Sequence, residues 1–245
     1  MKISVITVAY NSAATIGDTL RSVAEQTHPE VEHIVIDGAS TDRTLDVVRA
    51  EGRHVWQLVS EPDAGIYDAM NKGLRLATGD FVGFLNADDM FADRTVLEQL
   101  AVAMANADIV YGDLNYVDGH NSLRTVRRWR SGHFQQSRLA WGWMPPHPTF
   151  YFRLQMFRPE RFDVRYRIAA DYDFMLRCLS QSSPRVAYLK QVLVLMRTGG
   201  ASNRSLTALW QKSKEDYWVL RKNHLSGLFG LVAKIGRKLP QVFLR

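Results

Sequence analysis

Asp80-Phe-Val-Gly-Phe-Leu85, running directly into Asn86-Ala87-Asp88-Asp89, is the stretch that decides how the chain is read. A short apolar run bounded by polar residues predicts a strand buried on both faces, as in a parallel sheet. The tetrad that follows sets adjacent carboxylates at the carboxyl end of that strand. Ligands of open α/β sheets bind beyond those ends, so a metal-bound phosphate is expected at this turn.

Working outward, apolar runs at Ile3 to Val8, Val31 to Ile36 and Val55 to Val59 alternate with helix-like stretches at Ala14 to Glu25, Thr41 to Ala50 and Ile66 to Ala77. That alternation predicts βαβ units, a parallel sheet and helices on both of its faces. Beyond Asp93, read as an N-cap, Val96 to Ala105 is expected to be helical. Asp108 to Val117 and Leu123 to Trp129 are read as a hairpin turning at Asp118-Gly119. Trp141 to Pro148 suits neither helix nor central strand and is expected to be a loop near the site. Asp171 to Leu179 is read as a helix, Val186 to Val194 as extended, and Ser205 to Leu239 as mostly helical.

Length and composition agree with one large globular domain carrying an appendage: 245 residues, 46% hydrophobic and 23% charged. Cys178 is the only cysteine, which excludes an intramolecular disulfide and a cysteine-rich metal site. The alternating N-terminal run is too short for a signal peptide, and no stretch approaches the roughly 20 apolar residues of a membrane span. A cytoplasmic location is expected. The formal charge of +6 is unevenly placed: Arg204 to Arg245 hold 9 Lys/Arg against 2 Asp/Glu, while the rest hold 22 against 23. A nucleic-acid partner, suggested only by the overall basicity, is therefore not expected.

Three further turns repeat the pattern of polar residues at strand ends. Thr7-Val-Ala9-Tyr10-Asn11 closes the first strand, and Asp37-Gly-Ala-Ser40-Thr-Asp42-Arg-Thr44 closes the second; helix capping alone accounts for any one such turn. Glu61-Pro-Asp63-Ala-Gly65-Ile-Tyr67-Asp-Ala-Met-Asn71-Lys72-Gly73 is more distinctive. Gly65 permits a positive φ or close approach to a ligand, and Tyr67, Asn71 and Lys72 lie on the following helix, where a cation and an amide suit a diphosphate.

In order and spacing, these segments together with Phe84-Leu-Asn-Ala-Asp-Asp89 resemble glycosyltransferase family two, over residue 1 to about 200. Within it the chain is most similar to bacterial exopolysaccharide and O-antigen transferases, including the colanic-acid type. The resemblance implies a GT-A fold: a Rossmann-like nucleotide-binding α/β architecture with a mixed, mainly parallel central sheet. Residues 1–203 would form the transferase domain, with a nucleotide-sugar half at 1–90 and an acceptor half at 91–203, and residues 204–245 a basic amphipathic tail.

The resemblance further implies a nucleotide-diphosphate-sugar donor, with UDP favoured. Asp37 would read the uracil, Thr7, Ala9 and Tyr10 would line the base with Asn11 beside them, and Asp63, Gly65, Asn71 and Lys72 would lie nearer the diphosphate. Asn86, Ala87 and Asp88 would complete the donor site; Asp88 would hold Mn²⁺ or Mg²⁺, supported by Asp89. The chemistry is consistent, because a departing nucleoside diphosphate is a concentrated anion that a divalent ion neutralises. One departure is Asn86, where the family often has Asp, which removes a formal charge from the metal site.

Ile168-Ala-Ala-Asp171-Tyr-Asp173 resembles the family segment whose aspartate deprotonates the acceptor, making Asp171 the candidate base; capping of the following helix is a compatible role. Here Ala170 stands where the family often has Glu. Inversion at the anomeric carbon is implied, by a single displacement with one base. On the acceptor side, Trp141, Trp143, Met144 and His147 offer either an apolar wall for a sugar or packed core aromatics, and His147 or Arg153 a contact to phosphate. Arg124, Arg127, Arg128 and Arg130 around Trp129 suit an anionic group or a solvated strand. In the tail, Leu225, Leu228, Val232, Ile235 and Leu239 share one helical face, which suits an in-plane helix on an anionic membrane or docking on the catalytic domain. The expected protein is a peripheral enzyme on the inner face of the cytoplasmic membrane, acting on a lipid-linked saccharide; the rival is a non-catalytic nucleotide-sugar-binding or scaffolding subunit.

Overall fold

The computed structural model describes residues 1–119, 121–158, 161–181, 183–199, 206–223 and 225. β1 (Ile3–Ala9), β2 (Val31–Asp37), β3 (Val55–Ser60) and β4 (Phe81–Phe84) are parallel and alternate with α1 (Ile16–Ala24), α2 (Thr44–Glu51) and α3 (Ile66–Leu76). Every residue of β1 is buried, as expected of a strand covered on both faces. Its side chains alternate: Ile6 and Val8 enter the core beneath α3, whereas Ile3 and Val5 enter a second core with Phe81, Leu97 and Leu100.

The second half departs from simple alternation. After β5 (Asp89–Phe91) and α4 (Val96–Met104), β6 (Ile109–Val117) and β7 (Thr125–Trp129) form the expected antiparallel hairpin. β8 (Tyr151–Arg153) and α5 (Leu154–Phe157) follow, then α6 (Ala170–Leu179), β9 (Val186–Arg197) and α7 (Leu206–Lys222). The sheet order is β3-β2-β1-β4-β8-β6-β9-β5, with β7 beside β6. β8 lies antiparallel to both β4 and β6 and joins the two halves. Gly83 makes room for it: a Cβ there would lie 2.3 Å from the Tyr151 ring. The architecture is thus the expected mixed α/β sheet with helices on both faces.

Some local expectations are corrected. The N-cap of α4 is Thr95; Asp93 instead accepts hydrogen bonds from the Thr95 N–H (2.8 Å) and Oγ1 (2.7 Å), closing the turn before the helix. Trp141 to Pro148 is flanked by 3₁₀ turns at Gln136–Trp141 and His147–Thr149 rather than being a plain loop. Of the apolar tail positions, Leu225 packs at the edge of the main core, while Leu228, Val232, Ile235 and Leu239 fall outside the described residues. Among the described residues no helix is long and apolar enough to cross a membrane.

Candidate active site

Parallel pairing brings the carboxyl ends of β1, β2 and β4 to one edge, with Ala9 opposite Asp37. Two loops are laced together there. Asn11, at φ 48°, accepts hydrogen bonds through Oδ1 from the N–H groups of Thr41 (2.9 Å) and Asp42 (3.3 Å), and its own N–H donates to Ser40 Oγ (2.8 Å). Asp37 is fully buried. Its Oδ2 accepts from Ser40 N–H (3.0 Å) and Ser60 Oγ (2.7 Å), and Oδ1 from Ser40 Oγ, so the carboxylate is fixed at the sheet edge. Tyr10 is 65% exposed beside Gly38, where a missing Cβ lets the Asp63 carboxylate approach. The edge therefore gathers Ala9, Tyr10, Asp37 and Asp63. Gly65, at φ +115°, then turns the chain into α3, and its N–H donates to Asp63 Oδ1 (2.8 Å).

Other expected donor contacts are spent elsewhere. Thr7 is fully buried with its hydroxyl against His33 Nε2 (2.9 Å). Asn71 makes two hydrogen bonds to the backbone of Phe162, Nδ2 to O and N–H to Oδ1, each 2.9 Å, and so joins α3 to the segment before α6. Lys72 donates to Pro62 O (2.7 Å) and pairs with Glu61 (2.9 Å), which anchors the loop carrying Asp63. These three side chains brace the site instead of facing a diphosphate.

The tetrad after β4 is the most charged and least satisfied part of the edge. Ala87 is buried and bonds to Val8 O; Asp89 is fully buried in β5, where its Oδ2 receives a long bond, 3.4 Å, from Asn86 Nδ2. Among the described residues, Asn86 Oδ1 and Asp89 Oδ1 are both buried without a hydrogen-bond partner. Burial pushes the Asp88 carboxyl up, and burial with the Asp88 charge beside it pushes Asp89 well above the usual carboxylate range. Arg197, at the end of β9, opposes this: it donates to Asp88 O (3.4 Å), pairs with Asp18, and lowers both carboxyls through its charge. Orphaned buried oxygens beside two disfavoured carboxylates fit a hard cation. Among the described residues no group of three or more His, Cys, Asp and Glu forms a complete cage, so such an ion would draw other ligands from substrate phosphates and water.

Asp171 sits at the start of α6. Its Oδ1 accepts from Tyr172 N–H (2.8 Å) and, at 3.4 Å, from the Tyr67 hydroxyl, which donates principally to Ile168 O (2.7 Å). Oδ2 has no hydrogen-bond partner among the described residues. Tyr116, on β6, relates the two carboxylate sites. Burial pushes its phenol up, Arg127 stacked 4.9 Å from its centroid opposes this, and both Asp89 and Asp171 add to the rise. One ring thus lies in the field of the tetrad and of the candidate base.

On the acceptor side, His147 stacks on Phe84 (5.2 Å); burial lowers its pKa against the opposing pull of Asp171, and its Nε2 is buried without a partner among the described residues. Trp143 is corrected to core: it is 7% exposed, donates Nε1–H to Ser131 O (3.0 Å) and packs edge-on against Tyr111. Trp141 is 45% exposed. Arg153 is corrected outright. Paired opposite Phe81, at the start of β4, it lies at the far end of the sheet, stacks on Phe81 (4.6 Å) and pairs with Asp108 (3.5 Å). Of the arginines around Trp129, Arg130 pairs with buried Asp113 (2.8 Å). Sequence reasoning missed Tyr116, Arg197 and Glu215; the only signal for Arg197 is a cation closing an apolar run.

The sequence profile of glycosyl transferase family 2 matches residues 4–163. A PGL/p-HBAD biosynthesis glycosyltransferase of Mycobacterium bovis is 33% identical over 253 residues, spanning 99% of this chain and 92% of the relative. A putative teichuronic acid biosynthesis glycosyltransferase of Bacillus subtilis, TuaG, is 39% identical over 107 residues, 42% of each chain. Among solved structures, S. aureus TarS 1-349 in complex with UDP-GlcNAc has a TM-score of 0.70 at 22% identity, covering 91% of this chain and 65% of that one. Glucosyl-3-phosphoglycerate synthase from Mycobacterium tuberculosis, in complex with Mn²⁺, UDP and phosphoglyceric acid, has a TM-score of 0.65 at 18% identity, covering 91% and 79%. At those identities the structural likeness bears on the fold alone, which is GT-A. By profile and by full-length relatives, the chain belongs to glycosyl transferase family 2 and is a glycosyltransferase.

Proposed function

We propose that the protein is an inverting, divalent-metal-dependent transferase that moves a sugar from a UDP-sugar to a lipid-linked saccharide in bacterial surface-glycan synthesis. The observation that carries this reading is the packing that links two unlike carboxylate sites: Asp171 is bonded by Tyr67, the Tyr67 ring stacks on Phe162, and Phe162 packs edge-on against Phe84, two residues before the underligated tetrad. UDP is favoured by the ligands of the structural neighbours, and a surface glycan by the names of the relatives.

In this reading Asp88, supported by Asp89 and Asn86, would hold Mn²⁺ or Mg²⁺. The ion would supply charge neutralisation for the departing diphosphate. Asp37 accepts the base N–H at the sheet edge, with Ala9, Tyr10 and Asp63 around it. Arg197 limits the repulsion between the adjacent carboxylates before an ion arrives. Asp171 Oδ2 takes the proton of the acceptor hydroxyl as the new bond to the anomeric carbon forms, and the nucleoside diphosphate leaves from the opposite face. His147, stacked on Phe84, backs the acceptor side of the site.

Residues 1–90 form the donor half and 91–203 the acceptor half, and the basic tail at 204–245 seats the enzyme on the inner face of the cytoplasmic membrane. Trp210 and Trp218, 69% and 54% exposed on α7, with exposed Lys214, Arg221 and Lys222, support that placement. The test is release of UDP from a panel of UDP-sugars. Turnover that needs Mn²⁺ and is lost in Asp171→Asn, with UDP affinity retained, supports the reading. Metal-independent turnover, or an active Asp171→Asn enzyme, refutes it.

A further inference from the structure

The turn that presents Asp171 has no capping side chain of its own. It reads Arg167-Ile168-Ala169-Ala170, and the N-cap residue of α6 is Ala169. The missing acceptor comes from α7. Glu215, 9% exposed, takes three consecutive backbone N–H groups: Oε1 accepts from Arg167 (3.1 Å), and Oε2 from Ile168 (2.8 Å) and Ala169 (2.9 Å). Gln211 Nε2, one turn earlier on α7, donates to Oε1 (3.0 Å) and fixes the carboxylate. The same segment is held from its other side by the Tyr67 hydroxyl on Ile168 O (2.7 Å), so Ile168 is gripped by N–H and by C=O from two different helices. Tyr67 is itself fixed, buried and stacked on Phe162 (5.7 Å).

We propose that Glu215 is a positioning residue for the transfer step: with Tyr67 it clamps residues 167–169 and so sets the direction in which Asp171 offers its free oxygen. The proposal rests on Asp171 as the base. A carboxylate accepting three backbone N–H groups is a strong, directional tether, and it acts on the residues immediately before Asp171 without facing the donor. Loss of the tether frees the turn by fractions of an ångström, and misplacement of about 1 Å costs on the order of 100-fold in rate.

The test uses the full-length chain with Mn²⁺, UDP-GlcNAc and UDP-glucose as donors and water in place of the acceptor. UDP affinity is read by calorimetry, and backbone exchange at residues 167–172 by hydrogen–deuterium exchange. Glu215→Gln, which keeps one acceptor oxygen, is expected to lower kcat about 10-fold, and Glu215→Ala about 100-fold. Exchange at 167–169 rises in the same order, and the Kd for UDP stays within twofold. A kcat within threefold of wild type in Glu215→Ala, unaltered exchange at 167–169, or a parallel loss of UDP affinity overturns the proposal. If the Glu215 variants do not fold, Tyr67→Phe decides: it keeps the ring on Phe162 and removes the bond to Ile168 together with the 3.4 Å contact to Asp171 Oδ1. A fall in kcat at unchanged UDP affinity with raised exchange at 167–169 supports the clamp, and wild-type kcat or unaltered exchange at 167–169 refutes it. An active Asp171→Asn enzyme would instead remove the base assignment beneath it, a result distinct from any of these.

Discussion

Asn71 separates a bracing role from a donor-binding one by measurement. Its amide makes two buried 2.9 Å hydrogen bonds with the N–H and C=O of Phe162. Asn71→Leu keeps the volume and removes both partners. Each backbone group left buried and unpaired costs about 1–3 kcal/mol, so the pair costs about 2–6 kcal/mol. For a chain of this size about 2–4 °C is lost per kcal/mol, so a fall of roughly 4–24 °C in Tm is expected. Differential scanning calorimetry reads the loss, and titration of UDP with Mn²⁺ reads affinity, expected to stay within threefold. Asn71→Asp is an internal control. At neutral pH its carboxylate accepts from Phe162 N–H but repels Phe162 C=O; protonated, it donates to that oxygen. Hydrogen bonding of the neutral form raises the folded-state pKa, so the native state binds the extra proton and the deficit shrinks as pH falls below about 5. A Leu variant that melts within 2 °C of wild type while binding UDP tenfold more weakly would place the amide on the donor and refute the reasoning.

Three other outcomes follow from the geometry. Asp88→Asn should lose the thermal shift that Mn²⁺ and UDP give the wild type and lower transfer by at least about 100-fold, the range of losing several kcal/mol of transition-state charge stabilisation; an undiminished shift would move the cation elsewhere. Buried His33, hydrogen-bonded by Thr7 and His54, has its pKa lowered by burial, then by His54, to about 3, against an ordinary 6.5. The unfolded chain therefore binds the proton first as pH falls, so stability is complete above 6.5 and erodes below it; between pH 7.5 and 5 urea denaturation should show wild type losing about 2 kcal/mol more than His33→Gln, and equal slopes would contradict this. Arg153→Met, at the far end of the sheet, should lower Tm through loss of the Asp108 pair yet leave UDP affinity and kcat within twofold, whereas a selective rise in KM would restore it to the acceptor site.

The first part of the sheet was legible because β1, β2 and β4 are buried on both faces. Runs such as Ile3 to Val8 and Phe81 to Leu85 have no other reading, and parallel order then forces Asp37 and Asp88 to one edge. β5 and β8 were not legible, since three residues are too few to display a period. Lys72 and Asn71 fall on the side of α3 expected to meet a ligand, but a cation and an amide serve a loop carbonyl or a backbone pair equally well, and the partner, Phe162, lies 91 positions away. Arg153 shows the same limit: its place depends on pairing with Phe81, which only β8 reveals. Glu215 lies in Lys214-Glu-Asp216 and reads as a solvated helix face, because nothing local signals three backbone donors supplied from residues 167–169.

The position of β8 has a consequence for how the protein is made. β4 has β1 on one side and β8 on the other, and β6 never touches it. The β1–β4 unit can therefore assemble from contiguous chain as it leaves the ribosome, but the outer rim of β4, with buried Phe81 and Val82, keeps unpaired backbone groups until Tyr151–Arg153 have been synthesised. For that interval the nascent protein presents a hydrophobic strand edge open to other chains. Slow translation between residues 85 and 150 lengthens the exposure, so aggregation during expression is governed by how soon three late residues arrive.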